Sequence, residues 1–426
     1  MKKYYELLYR CSLALICLPP VIRHSHAYPL GDFKRTGITR LEGYFHSLKT
    51  PSGQRIIVPG ARLEPEEIKL NLKGQTFELP PPDAEFSSQL REILGRGNFG
   101  VAVLDITDPM RPIYAAYDDR RTFIPASTGK VLVAFTLLQT LAQVFPRDIA
   151  ARERLLRESI ITADDFILTD DSHEVPFWDR DQGTISFRPV QIGDRANLWT
   201  YLDWMISASS NAAASTVMKQ VLLLNHFRAA YPPSPASEEV FFTYNSPERL
   251  ASQYQSITRR AFELNGFAPE GLMQASFFTK QGKKRVPSKG SSASPREMVR
   301  FLMLMEQGRL IDEFSSLELK RLLYMTQART RYAASPSLVG AAVYYKAGSL
   351  YRCTPEAGYI CEKARGNRLN LMNVLAEVEY PARQPRLKYL VSVSSNVLRY
   401  DAGELHAQMA GQIQALMERR HPAPTK

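Results

Sequence analysis

Cysteine and histidine are scarce in this chain, with four and seven among 426 residues. The histidines are scattered, and His173-Glu174 lacks the second histidine that a metalloprotease helix carries, so no zinc-ligand spacing is present. Long basic runs are missing too. The net charge is +11, yet the longest basic stretch is Lys283-Lys284-Arg285, and elsewhere bases and acids interleave. Nucleic-acid binding is therefore not indicated, and a mildly basic surface fits better beside an anionic cell envelope. No low-complexity tract and no internal repeat occur, which excludes disordered and solenoid classes. No apolar run is long enough to cross a bilayer comfortably.

The longest such run near the start, Cys11 to Ile22, follows Lys2, Lys3 and Arg10 and precedes Ser25-His26-Ala27. A basic start, a short apolar stretch and small residues at the cleavage positions read as a secretion signal over residues 1–27. An uncleaved anchor is the alternative, and either would be the only membrane contact expected. Leu15-Ile16 lacks the small residue that lipoprotein processing at Cys17 requires. Removing residues 1–27 discards four bases and one acid, taking the charge from +11 to +8, and leaves only Cys353 and Cys361. In an exported protein these two either bridge a hairpin or stay as buried thiols. Exported location, periplasmic or secreted, is the expectation.

At 44% hydrophobic and 23% charged, the remainder is long enough for a large core. Residues 28–83 read as a strand-rich extension, with alternation over Leu41 to Leu48, Arg55 to Leu63 and Glu67 to Leu72. Pro80-Pro81-Pro82-Asp83 closes it, and one domain over 84–426 follows. Within that domain the patterning predicts a helix at Ser87 to Leu94 and a hairpin from Gly100 to Tyr117. A helix after Lys130 is apolar nearly all round and so must be buried. Further helices are expected at Asn197 to Met205 and Ser294 to Gln307. Three strands (341–352, 369–380 and 388–397) and a closing helix from Ala402 to Arg419 end the chain.

The chemistry concentrates where the hairpin meets the apolar helix, at Ser127-Thr128-Gly129-Lys130. Residues three apart share a helix face, so hydroxyl and amine meet. A helix start also directs free N–H groups toward the serine. Serine needs a base within hydrogen-bond reach, and a lysine sunk in an apolar helix loses some of its preference for the charged form. Alone, Ser-x-x-Lys is a weak signal, equally compatible with a helix cap and a surface lysine.

Two further segments strengthen it. Ser127-Thr128-Gly129-Lys130, then Ser209-Ser210-Asn211, then Lys346-Ala347-Gly348 resembles the ordered motifs of class A β-lactamases and penicillin-binding proteins. The resemblance spans about residues 87–420. It implies an α+β fold of the β-lactamase/transpeptidase type, in which an antiparallel sheet is flanked by helices and an all-helical subdomain carries Ser209 and Asn211. It also implies roles. Ser127 would attack a β-lactam or a D-Ala-D-Ala-like amide, Lys130 would take its proton, and Ser209 would pass a proton to the leaving nitrogen. Asn211 would hold the substrate amide and Lys346 its carboxylate. Gly348 would let the backbone approach, and the N–H groups of Ser127 and Ser349 would form an oxyanion hole. No cofactor or metal is implied. Ser394-Ser395-Asn396 and Lys280-Gln281-Gly282 fit the second and third patterns as well, but the former lies in a late strand and the latter in a basic loop.

The match has gaps. Ser210 stands where β-lactamases of this class usually carry aspartate, and Ala347 replaces a hydroxyl residue that Ser349 would have to substitute. The Glu-x-x-Leu-Asn loop that activates the deacylating water is missing. Glu263-Leu264-Asn265 has the wrong spacing, with Ala261 at the required position, and Glu238, Glu239 and Glu270 read as solvated loop acids. Acylation is expected, with slow release. The motif spacings are long, 82 residues from Ser127 to Ser209 and 137 from there to Lys346. Insertions near 165–190 and 230–290 follow. Three readings stay open: a β-lactamase-like hydrolase, a peptidoglycan D,D-carboxypeptidase or penicillin-binding protein, and a non-catalytic envelope sensor.

Overall fold

The computed structural model describes residues 30–47, 63–94, 97–168, 173–326 and 330–423. The proposed secretion signal lies outside them, as does nearly all of the strand expected over Arg55 to Leu63.

Strands β1 (Phe99–Asp105) and β2 (Ile113–Tyr117) form the expected hairpin. A second, outlying hairpin pairs β3 (Val175–Asp179) with β4 (Thr184–Arg188). The last three strands are β5 (Ala342–Arg352), β6 (Leu369–Tyr380) and β7 (Leu387–Asn396). One antiparallel sheet results, in the order β2-β1-β7-β6-β5, with β5 at an edge. Its strands carry apolar residues on both faces because both faces are covered. Along β1, Val101 and Val103 enter one core, while Ala102 and Leu104 enter the other.

Helices supply the cover. Near the start, α1 (Thr39–Ser47) and α2 (Ala84–Leu94) precede the long α3 (Gly129–Val144). Next come α4 (Leu198–Ile206), α5 (Asn211–Phe227), α6 (Pro235–Tyr244) and α7 (Pro247–Leu264). Finally there are α8 (Pro295–Glu306), α9 (Glu313–Tyr324) and α10 (Ala402–Arg420). Polar side chains set the starts: Asn197, Ser210, Ser294 and Asp401 each accept a backbone N–H of the first turn. Phe86 and Leu90 of α2 meet Met409 and Ile413 of α10 in one core. Helices α3, α4, α5 and α7 bury their apolar residues in the other. The stretched motif spacings are filled by the β3–β4 hairpin and by α6 and α7.

Among the described residues of 28–83 no strand forms, against expectation. Leu41 lies in α1, and the stretch from Glu67 follows a single 3-10 turn, Pro65–Glu67. The alternation misled because Ile38, Leu41 and Tyr44 are buried at a spacing of three, a helical stripe. Nor is this segment peripheral. Arg40, fully buried, donates to both Asp203 oxygens at 2.6 and 2.7 Å and to Met325 O at 2.7 Å. Asn71 Nδ2 reaches Glu377 at 3.0 Å and Glu379 at 2.6 Å. Lys280–Arg285, expected as a loop, is a short helix capped by Thr279. Cys353 and Cys361 are disulfide-bonded, with Cα atoms 5.8 Å apart.

Candidate active site

Ser127 sits in a 3-10 turn, Ala126–Thr128, that runs directly into α3. The turn is tied by Thr128 Oγ1 donating to Pro125 O at 2.6 Å, and Ala126 is left-handed at φ 49°. Ser209, between α4 and α5, is left-handed too, at φ 60°. Non-glycine residues take this conformation at a cost, and each of these positions brings a hydroxyl to Lys130 Nζ or precedes the residue that does.

Lys130 follows one turn later and has no exposed surface. Its Nζ donates to Ser209 O at 2.5 Å and Asn211 Oδ1 at 2.6 Å. It also lies 3.2 Å from Ser127 Oγ and 3.3 Å from Ser209 Oγ. Lys346 reaches in from β5, donating to Ser209 Oγ and to Ala347 O, both at 2.9 Å. Two amines and two hydroxyls therefore converge. Burial holds the Lys346 ammonium well below the usual lysine range, and the positive charges of Lys130 and Arg331 push the same way.

The edge strand comes very close to the serine. A Cβ on Gly348 would lie 2.5 Å from Ser127 N and 2.6 Å from Thr128 N, so only glycine fits. Asn373, opposite Gly348 on β6, donates to Ile124 O at 2.8 Å and fixes the approach to the serine turn. Of the residues expected from the sequence, Ser127, Lys130, Ser209, Asn211 and Lys346 are thus joined by direct contacts, Gly348 lies against the serine turn, and Ser349 follows it on β5. The two decoys do not join them. Ser395 is buried against His406, and Lys280 starts the short helix noted above.

Two participants went unread. Arg331, largely buried and left-handed at φ 56°, donates from Nη2 to Ser349 Oγ at 3.1 Å. It brings a second cation to the Lys346 side of the cleft, where Ala347 offers no hydroxyl. No motif marks it, because it precedes β5 without a defining spacing. Phe278 is the other. Its ring centroid lies 4.9 Å from Lys130 Nζ, and its N–H is held by Ser215 Oγ at 3.2 Å. Nearby, Gln274 packs over Gly129, where a Cβ would meet Oε1 at 2.1 Å. Glu238 and Glu239, expected in a loop, lie on α6, where Glu238 pairs with Lys219; Glu270 pairs with Arg259 at 3.7 Å. Among the described residues no group of three His, Cys, Asp or Glu side chains is placed to hold a metal ion.

The family described as the β-lactamase enzyme family matches residues 85–372, about two thirds of the sequence. The chain belongs to the β-lactamase enzyme family. Membership supports a serine hydrolase. Solved structures share the fold at low identity. PBP-A superposes with a TM-score of 0.51 at 14% identity, covering 80% of this chain and 99% of that one. A β-lactamase from Sphaerobacter thermophilus gives the same TM-score, identity and coverages. These likenesses extend the β-lactamase/transpeptidase fold across most of the chain. No curated relative matches the sequence.

Proposed function

We propose that this family member is an exported acyl-transfer enzyme that takes β-lactams, or amides of the D-Ala-D-Ala type, onto Ser127 and releases them slowly. One observation carries the reading: Lys130 Nζ lies 3.2 Å from Ser127 Oγ, while Lys346 meets Lys130 across Ser209 Oγ. As the free amine, Lys130 takes the Ser127 proton while the oxygen attacks the carbonyl carbon. The carbonyl oxygen gains charge toward the N–H groups of Ser127 and Ser349. Ser209 then gives its proton to the departing nitrogen as the C–N bond breaks, and is reprotonated from the lysines that flank it. Lys346, Arg331 and Ser349 draw in the substrate carboxylate, and Asn211 aligns the amide.

Slow release is supported by Phe278, whose ring occupies the wall beside Lys130 and offers no oxygen to activate water. That favours a penicillin-binding or peptidase role over rapid antibiotic hydrolysis. The Cys353–Cys361 bridge fits an oxidising compartment, as the amino-terminal pattern does.

Incubation with a fluorescent penicillin followed by nitrocefin tests this. Stable labelling that Ser127→Ala abolishes, with colour forming far more slowly than label, is the expected result. Fast nitrocefin turnover sinks the slow-release part. No label at all sinks the acyl-transfer reading and leaves the sensor.

A further inference from the structure

Exposed apolar side chains gather at the outer end of β5. The strand runs from the buried Lys346 and Gly348 out to Leu350, Tyr351 and Arg352, all exposed. The chain then turns back through the loop that Cys353 and Cys361 bridge and returns as β6. Tyr351 is 41% exposed, and Ile360, inside the bridged loop, 81%. On the loop after β7, Leu398 and Tyr400 are 42% and 67% exposed. Single exposed aliphatics need no explanation, but several on one rigid unit do.

The two loops are laced into such a unit. Arg399 N donates to Gly366 O at 2.9 Å, and the Arg399 side chain pairs with Glu356 at 2.7 Å and lies 5.4 Å from the Tyr359 ring centroid. Asn370, opposite Tyr351 across β5 and β6, donates from Nδ2 to Val397 O at 2.7 Å and to Tyr400 O at 2.9 Å. Asn367 exchanges two bonds with the Thr354 main chain, at 2.9 and 2.7 Å, and closes the neck of the bridged loop.

Charge surrounds the apolar groups unevenly. Residues 350–368 and 398–401 hold five bases against three acids. All three acids are taken, Glu362 and Asp401 by Arg365 at 2.7 and 3.8 Å, and Glu356 by Arg399. Arg352, Lys363 and Arg368 remain without a carboxylate partner among the described residues.

We propose that this unit is a docking surface for an anionic lipid bilayer. Ile360, Leu398 and Tyr400 enter the headgroup layer, and Arg352, Lys363 and Arg368 meet lipid phosphates. Tyrosine beside aliphatic side chains suits the boundary between headgroups and acyl chains, and unpaired cations beside them answer a negative surface. A protein partner would also cover apolar area, but three unpaired cations with no unpaired acid match a surface of one sign. This contact is separate from the amino-terminal segment and stands apart from the chemistry at Ser127. It would set the outer end of β5, and so the cleft that strand borders, beside the membrane.

Protein purified after export is sedimented with vesicles of phosphatidylcholine, alone or mixed equally with phosphatidylglycerol. It should bind the mixed vesicles, not the neutral ones, and come off as salt rises from about 0.1 M to about 1 M. Arg352→Gln, Lys363→Gln and Arg368→Gln should each weaken binding about fivefold, the effect of one cation near an anionic leaflet. Ile360→Ser combined with Tyr400→Ser should weaken it at least about tenfold. Val240→Ser, at an exposed position on α6, should change nothing. All of these positions are at the surface, so the melting temperature should hold and a loss of binding is not a loss of fold. Equal binding to both vesicle types, binding to neither, or binding that survives the apolar pair and the three cation substitutions overturns the proposal. Self-association in sedimentation velocity that Ile360→Ser abolishes, without lipid binding, overturns it in favour of a protein interface.

Discussion

Lys346 has two neighbouring cations and no exposed ammonium, and its charge is what a substrate carboxylate would seek. Because burial and those cations depress its pKa, the free enzyme loses that charge as pH rises through a value well below 10.5. Acylation should therefore fall on the alkaline side at a pH where an ordinary lysine would still be charged. Lys346→Arg, whose guanidinium stays protonated, should lower the rate yet remove that alkaline limb from the pH profile of labelling. Phe278 gives a prediction of opposite sense. Phe278→Glu would set a carboxylate beside Lys130, and nitrocefin hydrolysis should rise on the order of tenfold or more, as a positioned base allows. Burst amplitude and steady-state colour separate the two steps. Both residues show how far the sequence could be read. Lys346 stood out because its order after Ser127 and Ser209 matched a known arrangement. Phe278 and Arg331 are brought to the site only by tertiary packing, Phe278 through a loop pinned to Ser215, and no local pattern betrays them.

At the scale of elements, the site is assembled by three close approaches: the turn before α3, the junction between α4 and α5, and the edge of β5. The last is the tightest. Gly348→Ala would push β5 off the serine turn, since the added carbon would meet main-chain nitrogen rather than a yielding side chain. We expect labelling to fall on the order of a hundredfold, the scale of losing one oxyanion donor, with far-UV circular dichroism unchanged. The α4–α5 junction depends on Arg40, which ties Asp203 of α4 to the end of α9. Elements with strong periodicity or clear punctuation were legible. The first hairpin, the apolar α3, the last three strands and α10 all fall within a few residues of expectation. Helix α1 was not, because nine residues give too few repeats to separate period two from a stripe of three. The bracing roles of Arg40 and Asn71 were also hidden, since contacts such as Arg40–Asp203, 163 positions apart, leave no trace in either neighbourhood.

Taken whole, the described residues bury charged and polar groups deep in the core, Arg40, Arg152, Lys320 and His406 among them. His406 on α10 is completely buried, its Nε2 2.8 Å from Ser395 Oγ. Burial, with Arg331 nearby, lowers its pKa to about 3. The unfolded chain takes up that proton near pH 6.5 and the folded one does not, so this group costs nothing above that pH and erodes stability as pH falls from 6.5 toward 3. His406→Gln should flatten the acid limb of thermal stability between pH 7 and 4, where the loss is on the order of 1.4 kcal/mol per pH unit. On the opposite side, Lys320 Nζ is fully buried among Glu306 at 2.9 Å, Glu377 at 2.8 Å and Glu379 at 2.9 Å. Burial and Glu306 push the Glu377 carboxyl well up. Burial also raises Glu379, but Lys320 and Asn71 outweigh it and hold this carboxyl below its usual range. Lys69 O supplies Lys320 with a further acceptor at 2.6 Å. Anyone trimming the gene to the stretch that marks the family would cut away Arg40, leaving Asp203 buried without its partner at roughly 3–5 kcal/mol, and would strip Lys320 of Lys69 O, Glu377 and Glu379. The same cut at residue 372 would delete β7, the middle strand of five. Such a fragment should precipitate or melt far below the longer protein, so the smallest piece worth crystallising starts before Ile38 and runs through α10.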